Sequence, residues 1–287
     1  MNESDTFRCS FEHVALALHR MTDAWPVFAD ALGGRYHDRG LAGRFSWLQL
    51  RYANGFVLET LHPEDLPGSE GLQDRRGDFV HRFLARRGPG PHHLTFRVSD
   101  LDEAVDRLSA AGLVLGQTDR RDRRWQEALY GAHGAHGMVL HVVQRDGALP
   151  QEPDPPEGFP DLGYDHPVAS LSRVVLAVVD LEGALAAYRD ALGGRVVSSG
   201  AAVDGNHWVE LAWESPGRLR LLEATRGDIA EWVGDRPGRL RHLYFTFDAP
   251  ATVPGAQRVA EGRWAVEPDE HLGVRLVIAS TARSEPT

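Results

Sequence analysis

The chain has a single cysteine, Cys9, in 287 residues. A disulfide framework within the chain is excluded, and a reducing, cytoplasmic compartment is the expectation. Long apolar runs are also missing. None approaches the roughly 18 residues a membrane span needs, so no membrane partner is expected. The opening MNESDTFRCS has neither a basic n-region nor an apolar h-region and does not read as a signal peptide. Positive charge is in deficit: 31 Lys and Arg against 41 Asp and Glu give a net charge of −10. That balance argues against a nucleic-acid or anionic-membrane partner. The local run RRDRR at 120–124 reads as a solvated loop, with phosphate binding as the sharper alternative.

The chain does have length enough for two ordinary domains, and it has an internal repeat. HVALALHRMTDAWPVFADALGGR at 13–35 matches RVVLAVVDLEGALAAYRDALGGR at 173–195 without a gap, at an offset of 160 (173 − 13). Each reads as a strand, a helix and a glycine stop, with Thr22 or Asp180 as N-cap and Gly33 or Gly193 as C-cap. HLTFRVSDLDEAVDRLSAAG at 93–112 is a weaker copy at an offset of 80, with Asp100 and Glu103 in a capping-box arrangement. HLYFTFDAP at 242–250 opens a fourth copy whose helix is short or lost. Similar strands close the copies: GFVLETL (55–61), GMVLHVV (137–143), GRLRLLEA (217–224) and GVRLVIA (273–279).

Between the halves, PQEPDPPEGFPDLGYDHP at 150–167 has six prolines in 18 residues, as suits a stiff connector. The expected organisation is one domain over 7–148, a linker over 149–168 and a second domain over 169–282.

Overlaying the copies aligns His13, His93, Arg173 and His242 in the first strands. It aligns Glu59, His141, Glu223 and Val277 in the last strands. In the first half all four places carry metal-capable side chains: His13, Glu59, His93 and His141. Imidazole with carboxylate suits Fe(II), Mn(II), Co(II), Ni(II) or Zn(II). In the second half arginine cannot ligate a cation and valine offers no donor, so that site reads as degenerate. Glu223 and His242 there read as structural remnants or as a non-metal ligand pocket.

Strand alternation supports the first set. His93 shares a face with Thr95 and Arg97, while Leu94, Phe96 and Val98 face the helix that follows. Glu59 falls with Val57 and Leu61, and His141 with Val139 and Val143. A carboxylate on so apolar a face is costly unless paired or metal-bound. His92 points the other way and reads as a capping or loop residue. His133 and His136, in GAHGAHG, read as a turn. Arg97 is a candidate to neutralise an anionic substrate, with a rim salt bridge as the alternative. Trp25, Trp47 and Trp125 read as core or wall.

The opening HVALAL…DALGGR, the strand FVLETLHP and FLARRGPGPHHLTFRVSDLDEAVDRLSAAG (83–112) together resemble the vicinal oxygen chelate superfamily. It includes glyoxalase I, methylmalonyl-CoA epimerase, extradiol dioxygenases and bleomycin-resistance proteins. The resemblance runs over nearly the whole chain, strongest over 11–145 and 171–195. It implies an α+β fold of four βαβββ modules in two cup-shaped mixed sheets. It also implies one divalent metal held by His13, Glu59, His93 and His141. One departure matters: the family's last-strand position in the second module is usually glutamate, and here it is His141.

The resemblance implies a metal-dependent enzyme of isomerase, epimerase or lyase type. A metal-stabilised enediolate of a small oxygenated substrate would form, with Glu59 as general base. An Fe(II) extradiol-type dioxygenase is one alternative. A non-catalytic small-molecule binding or resistance protein is another. The expected partner is a small-molecule substrate, and a homodimer is left open.

Overall fold

The computed structural model describes residues 7–64, 79–146 and 154–281. The boundaries expected at 148 and 282 and the first linker residues, 149–153, lie outside them. The described residues form two eight-stranded mixed sheets. The first contains β1 (Cys9–Ala17), β2 (Arg35–Ala42), β3 (Phe45–Arg51), β4 (Val57–Pro63), β5 (Gly90–Val98), β6 (Leu115–Asp122), β7 (Trp125–Tyr130) and β8 (Val139–Arg145). Their order is β2-β3-β4-β1-β5-β8-β7-β6. The second contains β9 (Ser170–Val178), β10 (Arg195–Ala201), β11 (His207–Ala212), β12 (Arg218–Glu223), β13 (Gly238–Phe247), β14 (Gln257–Ala260), β15 (Arg263–Val266) and β16 (Leu276–Ser280). Its order, β10-β11-β12-β9-β13-β16-β15-β14, repeats the first. This is the expected α+β architecture of four modules in two cup-shaped sheets.

Each order places the first strands of two modules side by side at the sheet centre. A first strand runs parallel to its own module's last strand, as β5 does to β8 and β9 to β12. The remaining pairs within the modules are antiparallel hairpins. Strands buried on both faces read as continuous apolar runs, which is what HVALA in β1 and VVLAV in β9 supply.

Helices α1 (Phe79–Arg87), α2 (Leu101–Ala110), α3 (Leu181–Leu185) and α4 (Gly227–Val233) accompany the sheets. Asp100 caps α2 by accepting from the Glu103 amide, and Asp180 caps α3 by accepting from the Gly183 amide. In the first module the cap is not Thr22. A short 3-10 turn, Met21–Ala24, starts after Arg20, whose amide donates to Asp23. The repeated segments Trp25–Ala31 and Ala186–Ala191 are π-helical, and Gly33 and Gly193 follow them at φ +68° and +70°. The fourth module keeps only the 3-10 turn Pro250–Thr252.

The glycine before β8 has a second reason to be there. A Cβ on Gly137 would lie 2.1 Å from the Gly238 backbone, and φ is +101°. A Cβ on Gly273, before β16, would lie closer still, 1.7 Å from the Pro89 carbonyl oxygen.

By proximity the chain forms two compact units: Met1–His13, His93–Leu149 and Arg173–Arg241 in one, and Val14–His92, Pro150–Ser172 and His242–Thr287 in the other. The first unit centres on aromatic side chains. Phe11 stacks on Phe96 at 4.8 Å, and Phe96 meets Trp213 at 5.0 Å and Tyr188 at 5.8 Å. In the second, Tyr52 packs edge-on to Phe245 at 5.1 Å and donates to the Phe28 carbonyl. There the described linker residues have neither helix nor strand. The Arg35 guanidinium holds them, donating to the carbonyls of Leu162, Gly163, Tyr164 and His166.

Candidate metal centre

Three of the four expected ligands come together. His13, Glu59 and His93 each offer a ligand atom, all within 4.8 Å of one another, and all three side chains are buried. The pleat accounts for their direction. His13 shares its face of β1 with Ala15 and Ala17, and all three are buried. Glu59 pairs in register with Gln49, whose Nε2 donates to Glu59 Oε2 at 2.8 Å. That bond fixes one carboxylate oxygen. The rings of His13 and His93 stand edge to face, 5.7 Å apart.

His141 lies beside this group without being part of it. Its ring centroid is 5.4 Å from that of His93. Its Nδ1 is 3.2 Å from Thr95 Oγ1, and Thr95 is its register partner across β5 and β8. Its Nε2 is 3.0 Å from Glu127 Oε2 on β7. Trp125 Nε1 donates to the same carboxylate at 3.1 Å. Burial pushes the Glu127 carboxyl up, but the hydrogen bond and charge of His141, with the Trp125 N–H, bring it below the ordinary carboxylate value.

Gln49 and Glu127 are the residues the sequence did not single out. Alternation in WQEALY puts Glu127 on one face with Trp125 and Leu129, but nothing in the text says which face lines the site.

Arg97 is exposed, on the His93 side of β5. His92 packs against α1, its ring 5.1 Å from Phe79 and 5.0 Å from Phe83, which replaces the expected loop contact. His136 sits at φ +55° in the expected turn.

In the second sheet the register corrects one correspondence. Trp47 packs on Gly40 and Trp208 on Gly200, so these pairs are equivalent. Trp47 pairs with Leu61, and two places on Gln49 pairs with Glu59. In the same ladder Trp208 pairs with Leu222, and Glu210 pairs with Arg220. Arg220, not Glu223, therefore takes the place of Glu59 (208 − 47 and 220 − 59 both give 161). Glu223 is an odd number of residues from Arg220 and faces the other side, where its carboxylate accepts from the His207 amide.

Two buried imidazoles and a buried carboxylate this close together are the donor set of a first-row divalent metal. Residues 12–128 match the family model described as the glyoxalase, bleomycin resistance protein and dioxygenase superfamily. This part of the chain is similar to that superfamily.

Two solved structures share the fold over nearly the whole chain. A hypothetical protein from Staphylococcus aureus is similar at 8% identity over 95% of this chain and 99% of that one, TM-score 0.57. A mutant of 4-hydroxymandelate synthase from Streptomyces coelicolor is similar at 15% identity over 96% and 94%, TM-score 0.59. Methylmalonyl-CoA epimerase from Mycobacterium tuberculosis aligns at 22% identity over 48% and 89%, TM-score 0.40. No curated protein matches the sequence significantly. Among the described residues no helix is long and apolar enough to cross a membrane.

Proposed function

We propose that the protein is a divalent-metal-dependent enzyme that moves a proton on a small oxygenated substrate, as an isomerase, epimerase or lyase of the glyoxalase type. The observation that carries this reading is the His141–Glu127 pair, 3.0 Å apart and adjacent to His93. A metal held by His13, Glu59 and His93 would supply a Lewis acid, stabilising negative charge on substrate oxygens when a proton leaves the neighbouring carbon.

The chain's own residues divide the remaining work. His141 holds and returns the proton, and Glu127 orients its ring and stabilises the imidazolium. Thr95 fixes the second ring nitrogen. Gln49 ties down Glu59. The role of base, expected at Glu59, passes in this reading to His141, and Glu59 serves as a ligand. Arg97, exposed on the same side of β5, is the group to meet an anionic substituent of the substrate.

The test is solvent-deuterium incorporation into candidate hydroxy-ketones, thioesters and hemithioacetals. Metal-loaded protein is expected to incorporate label, and His141→Ala to lose that activity while keeping metal. Full activity in metal-free protein would overturn the reading. A second reading, an Fe(II) dioxygenase, is favoured by the two-imidazole, one-carboxylate donor set. Oxygen consumption with catechols or 2-oxo acids in Fe(II)-loaded protein, without deuterium incorporation, would select it. Stoichiometric ligand binding without either reaction would select a binding protein.

A further inference from the structure

In three modules the strand before the last carries a tryptophan and, two residues on, a glutamine or glutamate. These are Trp47 and Gln49 in β3, Trp125 and Glu127 in β7, and Trp208 and Glu210 in β11. Each of these polar side chains meets a side chain of its module's last strand. Gln49 Nε2 donates to Glu59 Oε2 at 2.8 Å, Glu127 Oε2 is 3.0 Å from His141 Nε2, and Glu210 Oε2 accepts from Arg220 Nε at 3.0 Å. The position recurs while the chemistry changes, and each pair is complementary. A carboxylate meets the imidazole and the guanidinium; an amide meets the carboxylate.

The choice at position 49 follows from Glu59. A glutamate there would set a second carboxylate directly opposite the buried one, and like charges so placed repel. Glutamine has the length of glutamate and supplies an N–H. The backbone holds the pair: Gln49 and Glu59 are register partners across β3 and β4. Leu48 and Leu50, fully buried on the other face of β3, anchor the strand beneath Gln49, and Trp47 packs on Gly40 beside it. The consequence reaches any ion that Glu59 holds. A carboxylate grips an ion with one oxygen or with both, and with both only when both turn toward it. An oxygen drawn to an N–H on the neighbouring strand resists that turn. Each donor the chain withholds leaves a coordination position for another, and a catalytic ion works through such an open position.

We propose that Gln49 is a positioning residue that confines Glu59 to metal ligation through one oxygen and so keeps a coordination position open for substrate. The proposal rests on the metal centre of the proposed function. It adds to that reading the residue that sets how many donors the chain gives the ion. Gln49 acts through Glu59, as the partners of metal ligands do when they orient them.

The test uses the full chain loaded with Co(II), whose visible absorption reports its coordination, and acetohydroxamate, a probe with two neighbouring oxygens. Wild type is compared with Gln49→Leu, which keeps similar bulk and removes the donor. Acetohydroxamate is expected to shift the wild-type spectrum saturably. It is expected to bind Gln49→Leu about tenfold more weakly or worse, because the second Glu59 oxygen then competes for its place. A merely structural role would lower the Tm of the metal-free variant and leave the probe's affinity for the cobalt-loaded form unmoved. Gln49→Met, which also lacks the N–H, carries the same expectation and decides the matter if Gln49→Leu fails to fold or to load. The proposal alone is overturned if loaded wild type gives no saturable response to the probe, or if the variant loses less than about tenfold in affinity. Wild type that takes up no Co(II) overturns the metal centre and the proposal together.

Discussion

Nε2 of His141 stands 3.0 Å from the carboxylate of Glu127, one strand away. The His141 ring has two nitrogens, and Thr95 meets the other. The proposed metal centre of three ligands with an adjacent proton-transfer pair draws on this geometry. On that proposal, Glu127→Gln should leave metal stoichiometry unchanged. It should slow deuterium incorporation into a turned-over substrate by a factor on the order of 10². Elemental analysis and exchange rates on the same preparation check this.

The packing of the first unit rests on Phe96, which is fully buried against Phe11, Tyr188 and Trp213. Truncating a buried aromatic removes its transfer free energy and leaves a cavity. Phe96→Ala is expected to lower stability by about 3–5 kcal/mol in urea denaturation. A loss under 1 kcal/mol would show that the cluster rearranges around the gap.

Arg35 makes four contacts to linker carbonyls from Leu162 to His166. Few other side chains could satisfy several carbonyls at once, because the guanidinium carries five N–H donors. Arg35→Ala should leave the sheets folded and raise proteolytic cleavage and amide exchange within 162–166. Unchanged protection there would mean that Phe159, packed between Trp25 and Tyr36, holds the linker alone.

His62 is buried, with Nε2 2.9 Å from Thr60 Oγ1. Burial lowers its pKa from 6.5 to about 3, against the opposing pull of Glu59 and a backbone contact at Arg20. As pH falls the unfolded chain takes up this proton first. Its contribution to stability is complete above pH 6.5 and is lost progressively down to about pH 3. Denaturation of metal-free protein across that range should show the slope, and His62→Gln should flatten it.

Much of the fold was legible because the repeat is nearly free of gaps. A strand–helix–glycine unit recurring at offsets of 80 and 160, with a fourth opening strand at 242, predicts four modules, and four are present. His13, Glu59 and His93 were legible for the same reason: each occupies a repeated position on a period-2 face. Glu127 was not singled out, although its strand recurs: Trp47 and Gln49, Trp125 and Glu127, and Trp208 and Glu210 share one spacing. Arg220 was missed for a different cause. The similar endings of GFVLETL and GRLRLLEA suggest Glu223 for Glu59, but the ladder shifts the match by three residues. An odd shift turns a side chain to the opposite face. Thr22 gave way to Arg20 and Asp23 because a 3-10 turn precedes the π-helical segment, and sequence spacing tuned to an α-helix does not foresee it.

The central claim is that His13, Glu59 and His93 hold one divalent metal ion. Metal content after loading and exhaustive dialysis tests it most directly, on wild type, His93→Ala, Glu59→Gln and His141→Ala. The account predicts about one metal per chain in the wild type and in His141→Ala, and a loss of most of it in His93→Ala and Glu59→Gln. Equal metal in His93→Ala and wild type, or none in the wild type after loading, would contradict it.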